Sequence, residues 1–189
     1  MESKIGKEQP NTWYNDVFRT ALHYHKPWNE CGDWTLIWES TLDILLENNL
    51  TNILDIGSGM GQLGQLCAQN NIKYKGIDFS EYAIQYSIQN KVGHELFECV
   101  NANDYHYSDE VQAYTTHEFL EHVKDDLGIL AKLKSNTPII FSVPDSDGIQ
   151  HTRFFTDVDD VYNRYSPLIQ NLDVKKISNH HYLAVGVTK

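Results

Sequence analysis

The stretch Asn52 to Gly64, Asn-Ile-Leu-Asp-Ile-Gly-Ser-Gly-Met-Gly-Gln-Leu-Gly, constrains the fold more than any other part of the chain. Ile53, Leu54 and Ile56 suit a short strand buried on both faces. The glycines that follow allow a tight turn and a close approach of backbone to a ligand, and a helix-compatible run comes next. A strand, a glycine turn and a helix in that order predict a nucleoside site at the carboxyl end of a parallel sheet. The pattern alone does not select the ligand.

Downstream of Ile53, strand-like and helix-like stretches alternate, as in an α/β protein. Strands are expected near Ile53–Ile56, Tyr74–Ile77, Glu95–Val100, Gln112–Thr115, Ile139–Val143, Val174–Ser178 and Tyr182–Val187. Helices are expected over Gly61–Gln69, Glu81–Gln89, Val123–Leu133 and Thr156–Leu168. Only Asn179-His180-His181 separates the last two strands, which is too short for a parallel crossover, so they should form an antiparallel hairpin. The expected fold is therefore α/β: a Rossmann-like seven-stranded sheet, mostly parallel, with an antiparallel C-terminal hairpin strand and helices on both faces.

At 189 residues the chain suits a single domain with a sizeable core. Residues 12–50 form its N-terminal helical lid or substrate-side extension. Trp13, Val17, Phe18 and Leu22 recur at helical spacing, as do Trp34, Ile37, Trp38, Thr41, Leu42, Leu45 and Leu46. The segment His23 to Asp33 between them, rich in aromatics and histidines, reads equally as a pocket edge or as surface packing.

No apolar run approaches a membrane span, and Met1 to Asn11 lacks the apolar core of a signal peptide, so a cytoplasmic protein is expected. Cys31, Cys67 and Cys99 are too scattered for a disulfide framework or a cysteine zinc site and are expected to be buried free thiols. A net charge of −11 disfavours nucleic acid and favours a small-molecule substrate.

The second strand ends at Asp78, 78 − 57 = 21 residues beyond the first loop glycine. An acidic residue about 20 residues on is placed to accept hydrogen bonds from ribose hydroxyls. Ser80 is better placed than Asp78 to cap the following helix.

The spacing Asp55-x-Gly57-x-Gly59-x-Gly61 with this carboxylate and the terminal hairpin resembles the class I S-adenosylmethionine-dependent methyltransferases, from Ile53 to Lys189. The resemblance implies that Asp55, Gly57, Gly59 and Gly61 surround the methionine and ribose portions of the cofactor. Asp78 then binds the ribose and Phe79 lies against adenine. Asn101-Ala102 stands where the family often has Asp-Ala at the adenine edge, with Asp104 as a rival for that contact.

Within Thr116 to Val123, a helical turn would place Glu118, Glu121 and His122 on one face. This Glu-x-x-Glu-His spacing, with His151 further on, resembles the metal site of small-RNA 2′-O-methyltransferases and, less closely, ubiquinone-biosynthesis O-methyltransferases. Carried over, it makes Glu118, Glu121, His122 and His151 ligands of a divalent cation (Mg²⁺, Mn²⁺, Fe²⁺ or Zn²⁺) that also holds substrate hydroxyls. Many metal-free methyltransferases carry a similar Leu-Glu-His-Val segment. In that case His151, Glu118 or Asp145 is the candidate general base, and Arg153 is a candidate for orienting an anionic substrate. The expected activity is methyl transfer to an oxygen, ahead of a nitrogen, of a small polar acceptor such as a sugar or diol. The alternatives are a small-RNA 2′-O-methyltransferase and a non-catalytic S-adenosylmethionine-binding protein.

Overall fold

The computed structural model describes residues 6–90, 96–107 and 110–189. Seven strands form one sheet in the order β3-β2-β1-β4-β5-β7-β6. β1 (Asn52–Ile56), β2 (Lys73–Asp78), β3 (Phe97–Cys99), β4 (Ala113–His117) and β5 (Pro138–Pro144) pair in parallel. β7 (His181–Thr188) is antiparallel to both β5 and β6 (Ile169–Lys176). This is the Rossmann-like sheet expected from the alternation. The order turns back at β1, between β2 and β4, so a crevice opens at their carboxyl ends.

Strand periodicity divides the core. Leu54, Tyr114, Ile139 and Phe141 face one side and pack with Ile129, Leu130, Val161 and Tyr165 from α5 (Asp126–Leu130) and α6 (Val158–Tyr165). Their neighbours Ile53, Ala113 and Ile140 face the other side. There they meet Ile37, Leu45, Leu63, Cys67 and Ile84 from α2 (Asp33–Glu47), α3 (Gln62–Gln69) and α4 (Glu81–Asn90). Each of these fully buried aliphatic side chains contributes roughly 1.5–3 kcal/mol. α1 (Asn11–Thr20) turns Phe18 inward, onto Met60 and Ala83.

Several local expectations are corrected. The helix expected from Val123 begins only at Asp126, where Asp125 caps it by accepting from Gly128 N. The last helix closes at Tyr165, and β6 starts at Ile169 rather than Val174, with an irregular register between Gln170 and Asp173. Leu22 leaves the α1 stripe for a 3-10 turn and is 76% exposed. Glu95 of the expected third strand lies outside the described residues. The three cysteines are free thiols, but of the three expected to be buried only Cys67 is; Cys31 is partly exposed and Cys99 exposed. Among the described residues no helix is long and apolar enough to cross a membrane.

Asp126 joins α5 to α6. Its buried carboxylate accepts from Arg164 Nε (2.8 Å) and Nη2 (2.6 Å) and from Tyr165 Oη (3.0 Å), and lies 3.3 Å from Arg153 Nη1. Removing one side of a buried ionic network leaves uncompensated charge, so Asp126→Ala should lower unfolding free energy by about 3–5 kcal/mol in denaturant titration. A loss below 1 kcal/mol would show that the network does not hold the two helices.

Candidate active site

The cleft begins where β1 ends. Gly57 N and Ser58 N both donate to Ile77 O (2.9 and 3.0 Å), which ties the turn to the end of β2. Gly57 has φ 75°, and a Cβ there would stand 2.4 Å from the Phe119 ring, so only glycine meets both demands. Gly61, at φ 79°, is the left-handed residue from which α3 departs.

Asp78 closes this end. Its Oδ2 accepts from Gly59 N (3.0 Å) and its Oδ1 from Ser80 N (2.8 Å). An ionised carboxylate has about four acceptor sites, so both oxygens keep capacity for a ligand's hydroxyls. The helix cap is Ser80, whose Oγ accepts from Ala83 N (3.2 Å). Burial pushes the Asp78 pKa up to about 6 against the opposing N–H groups of Ser80, Gly59 and Phe79. Asp55 is likewise driven to about 6 by burial, although Tyr74 Oη (2.7 Å) and Thr115 Oγ1 (2.8 Å) donate to it.

Asp55, Gly57, Gly59, Asp78, Phe79, Asn101 and Ala102 line one continuous cavity of about 210 Å³. Gly61 supports it from behind the turn and is not in its wall. Asn101 forms an Asx turn, with Oδ1 accepting from Asn103 N (2.9 Å). Its rival Asp104 is exposed and outside the lining.

The opposite wall departs from expectation. Residues 118–122 form a bend and a turn, not a helix, because Glu118 adopts φ 51°. Such a conformation costs a non-glycine residue roughly 1–3 kcal/mol and marks a carboxylate held in place by its surroundings. Ser142 Oγ donates to Glu118 Oε1 (2.8 Å), and His181 Nε2 lies 3.4 Å from Oε2. Glu118 is thereby held by Ser142 and His181 and is not in the group formed by the other three expected ligands.

Those three do converge. Ligand atoms of Glu121, His122 and His151 lie within 4.8 Å of one another. The Glu121 side chain is 0% exposed, neither carboxylate oxygen has a hydrogen-bond partner, and His122 Nε2 lies 3.4 Å away. Burial, then the charge of Glu118, raises its pKa well above the usual range. His122 Nδ1 stands 3.2 Å from Gln150 O and His151 Nδ1 2.9 Å from Ser146 O. With those carbonyls as acceptors each ring has its proton on Nδ1; the Nε2 of His122 then faces Glu121, and the Nε2 of His151 accepts from the Gln150 side-chain amide (3.3 Å). Burial and the neighbouring His151 lower the His122 pKa to about 4, which keeps it neutral.

Two further candidates take other roles. Arg153 donates to the carbonyls of Leu120, Val123 (2.6 Å) and Lys124 (3.1 Å), so it clamps the 120–124 turn, and it is not in the cavity lining. Asp145 is bound by Lys176 (2.8 Å) and His180 (3.4 Å), outside the cavity lining. Burial works to raise its pKa, but those two partners more than offset this. It therefore has neither the position nor the basicity of a general base.

The aromatic wall comes from the segment expected to be a lid or substrate-side extension, but none of its residues was among the expected site residues. Tyr14 with Phe18 and Trp34 with Trp38 are i, i+4 pairs on α1 and α2, and Tyr24 stands between them in the chain; all five line the cleft. Sequence reasoning also missed His181 and the buried His117, whose pKa burial lowers to about 3.

A family model described as a methyltransferase domain matches residues 47–171, two thirds of the chain, including the glycine turn and Asp78. The chain belongs to the class I S-adenosylmethionine-dependent methyltransferases. Curated proteins offer no sequence match. Among solved structures, the methyltransferase resembles the PH0226 protein of Pyrococcus horikoshii (TM-score 0.73, 15% identity, 92% of this chain and 99% of that one). It also resembles the magnesium protoporphyrin IX methyltransferase ChlM of Synechocystis with bound S-adenosylmethionine (0.66, 14%, 95% and 97%). The N-methyltransferase NodS of Bradyrhizobium japonicum is a third (0.62, 13%, 83% and 88%). These likenesses establish the fold and leave the acceptor open.

The cradle suits the cofactor: the turn brings bare backbone to the cavity, and both oxygens of Asp78, oriented by Gly59 and Ser80, keep acceptor capacity beside it. Asp78→Ala should weaken S-adenosylhomocysteine binding about tenfold or more in calorimetry, the scale of hydrogen bonds to a charged group. Because the ribose hydroxyls donate, they favour the ionised carboxylate. Affinity should then be level from pH 8 to 7 and fall several-fold by pH 5, as Asp78 protonates through about 6. A flat profile would remove Asp78 from the ribose role.

Proposed function

We propose that this methyltransferase transfers the methyl group to an oxygen of a small polar acceptor bearing adjacent hydroxyls, with Glu121, His122 and His151 holding a divalent cation. The carrying observation is the Glu121 carboxylate, buried without a hydrogen-bond partner, with ring nitrogens of His122 and His151 within 4.8 Å. A buried carboxylate in that state is costly unless it is protonated or coordinated to a metal. One carboxylate and two imidazoles form a mixed donor set that would suit Mn²⁺, Fe²⁺ or Zn²⁺.

The cation, when bound, acidifies a hydroxyl and orients its neighbour; bound S-adenosylmethionine supplies the electrophilic methyl. The chain's own contribution is positional. Asp78 and the glycine turn hold the cofactor, and the Thr152 and Arg153 bonds to the 120–124 turn keep Glu121 and His122 in register with His151. Fixing two reactants in line accounts for much of the rate in such transfers. A small-RNA acceptor is disfavoured by the net charge of −11 and by a cleft wall without lysine or arginine among the described residues.

The test is transfer of tritiated methyl to a panel of sugars, diols and RNA, with and without chelator. Labelling of a diol or sugar, lost in chelator and restored by one divalent metal, is expected, and Glu121→Gln should lower kcat at least about a hundredfold. Full activity in chelator would move deprotonation to His151 and remove the cation. Transfer to nitrogen alone would remove the oxygen acceptor.

A further inference from the structure

The cleft carries more negative charge than cofactor and cation binding use. Among the described residues, every side chain in its lining that can carry full charge at neutral pH, the histidines aside, is a carboxylate: Glu8, Asp55, Asp78, Glu118 and Glu121. Arg153, on the adjoining segment, is committed to three carbonyls and Asp126. Even with a divalent cation and a sulfonium in place, the five carboxylates outnumber the three positive charges. Asp55 and Asp78 belong to the cofactor end and Glu121 to the cation. Glu118 remains.

Around Glu118 the structure offers a cation two kinds of contact. The first is ionic: its side chain is 19% exposed, held by Ser142 and His181. His181 itself stands between Glu118 (3.4 Å) and Asp33 (3.7 Å), so even a protonated imidazole leaves that trio one negative charge in excess. The second is aromatic. Tyr24 and Trp34 stack at 5.5 Å and 18°, with Trp38 one helical turn further along α2, and all three share the lining with Glu118. Burial, then the charges of Glu118 and Glu121, raise the Tyr24 pKa, so both carboxylates are felt at this ring. Ring faces and a carboxylate together attract a protonated amine. A phosphate or carboxylate in the same place would lie among like charges, with no lysine or arginine in the lining among the described residues and the His181 imidazole already shared between Glu118 and Asp33.

Resting on the O-methylation reading, the geometry points to an acceptor that carries a protonated amine, seated between Glu118 and the Tyr24–Trp34 rings, rather than an acidic or phosphorylated one. The amine is a recognition group: the methyl goes to the hydroxyl oxygen, whose proton leaves to solvent.

Ligand-observed NMR titration of the protein saturated with S-adenosylhomocysteine tests this with 2-phenylethylamine, 2-phenylethanol and phenylacetate, which share a ring and differ in charge. The amine should bind about tenfold more tightly than the alcohol, with the carboxylate weakest. Glu118→Gln, checked for folding by thermal melting, should bring the amine and alcohol within about twofold of each other, and Trp34→Leu should weaken the amine most. Equal binding of amine and alcohol, tightest binding of the carboxylate, or no binding of the amine overturns the proposal. The O-methylation reading is tested separately, by methyl transfer to the dihydroxy derivative of the same amine. A charge preference without O-transfer would fault only that reading, and O-transfer without the preference would fault only this one.

Discussion

The hydrogen bonds that fasten the glycine turn to the end of β2 are the constraint on which the active site depends. Gly57 and Ser58 donate to Ile77 O, and Gly59 donates to Asp78 Oδ2, so the turn and the carboxylate fix each other. Asp78 is buried and its ionised form is made costly by that burial; the turn's N–H groups recover part of the cost. A ribose supplies further donors. The cofactor site is thus a charge-compensating half-shell, pre-formed by backbone geometry rather than by side-chain rearrangement.

The opposite wall follows the same logic, with the proposed cation as its counter-ion. Glu121, His122 and His151 come together because Thr152 and Arg153 pin the turn after β4 onto the segment after β5. Arg153 is anchored in turn by Asp126, which also draws in α6. Fold stability and site geometry therefore share one buried ionic network. In the proposed function, the unpartnered Glu121 is the point where this network is completed from outside the protein, and the cleft lining, without lysine or arginine among the described residues, extends that bias to the acceptor.

The fold was largely legible in the sequence because its signals are local. Strand alternation, the glycine turn and a three-residue hairpin spacer each act within a dozen residues. Asp78 was legible because a fixed strand–turn–helix–strand unit makes its offset meaningful. Glu118 was not, since Glu-x-x-Glu-His specifies a shared face only if the segment is helical, and the φ of 51° is imposed by Ser142 from a strand 24 residues away. Asp145 and Arg153 failed for the same reason, their partners being Lys176 and the carbonyls of the 120–124 turn. Trp34 and Trp38 were visible as a helical stripe, but periodicity cannot tell a core-facing stripe from a cleft-facing one. His181 enters the site only through the antiparallel register that sets it opposite Pro144.

The most direct test of this account is a titration of the purified, metal-stripped protein with Mn²⁺, followed by electron paramagnetic resonance. One Mn²⁺ should bind per chain, and Glu121→Gln and His151→Asn should each abolish or greatly weaken that site while leaving S-adenosylhomocysteine affinity intact. No bound Mn²⁺ in the unaltered protein, or an unchanged site in both variants, would contradict it.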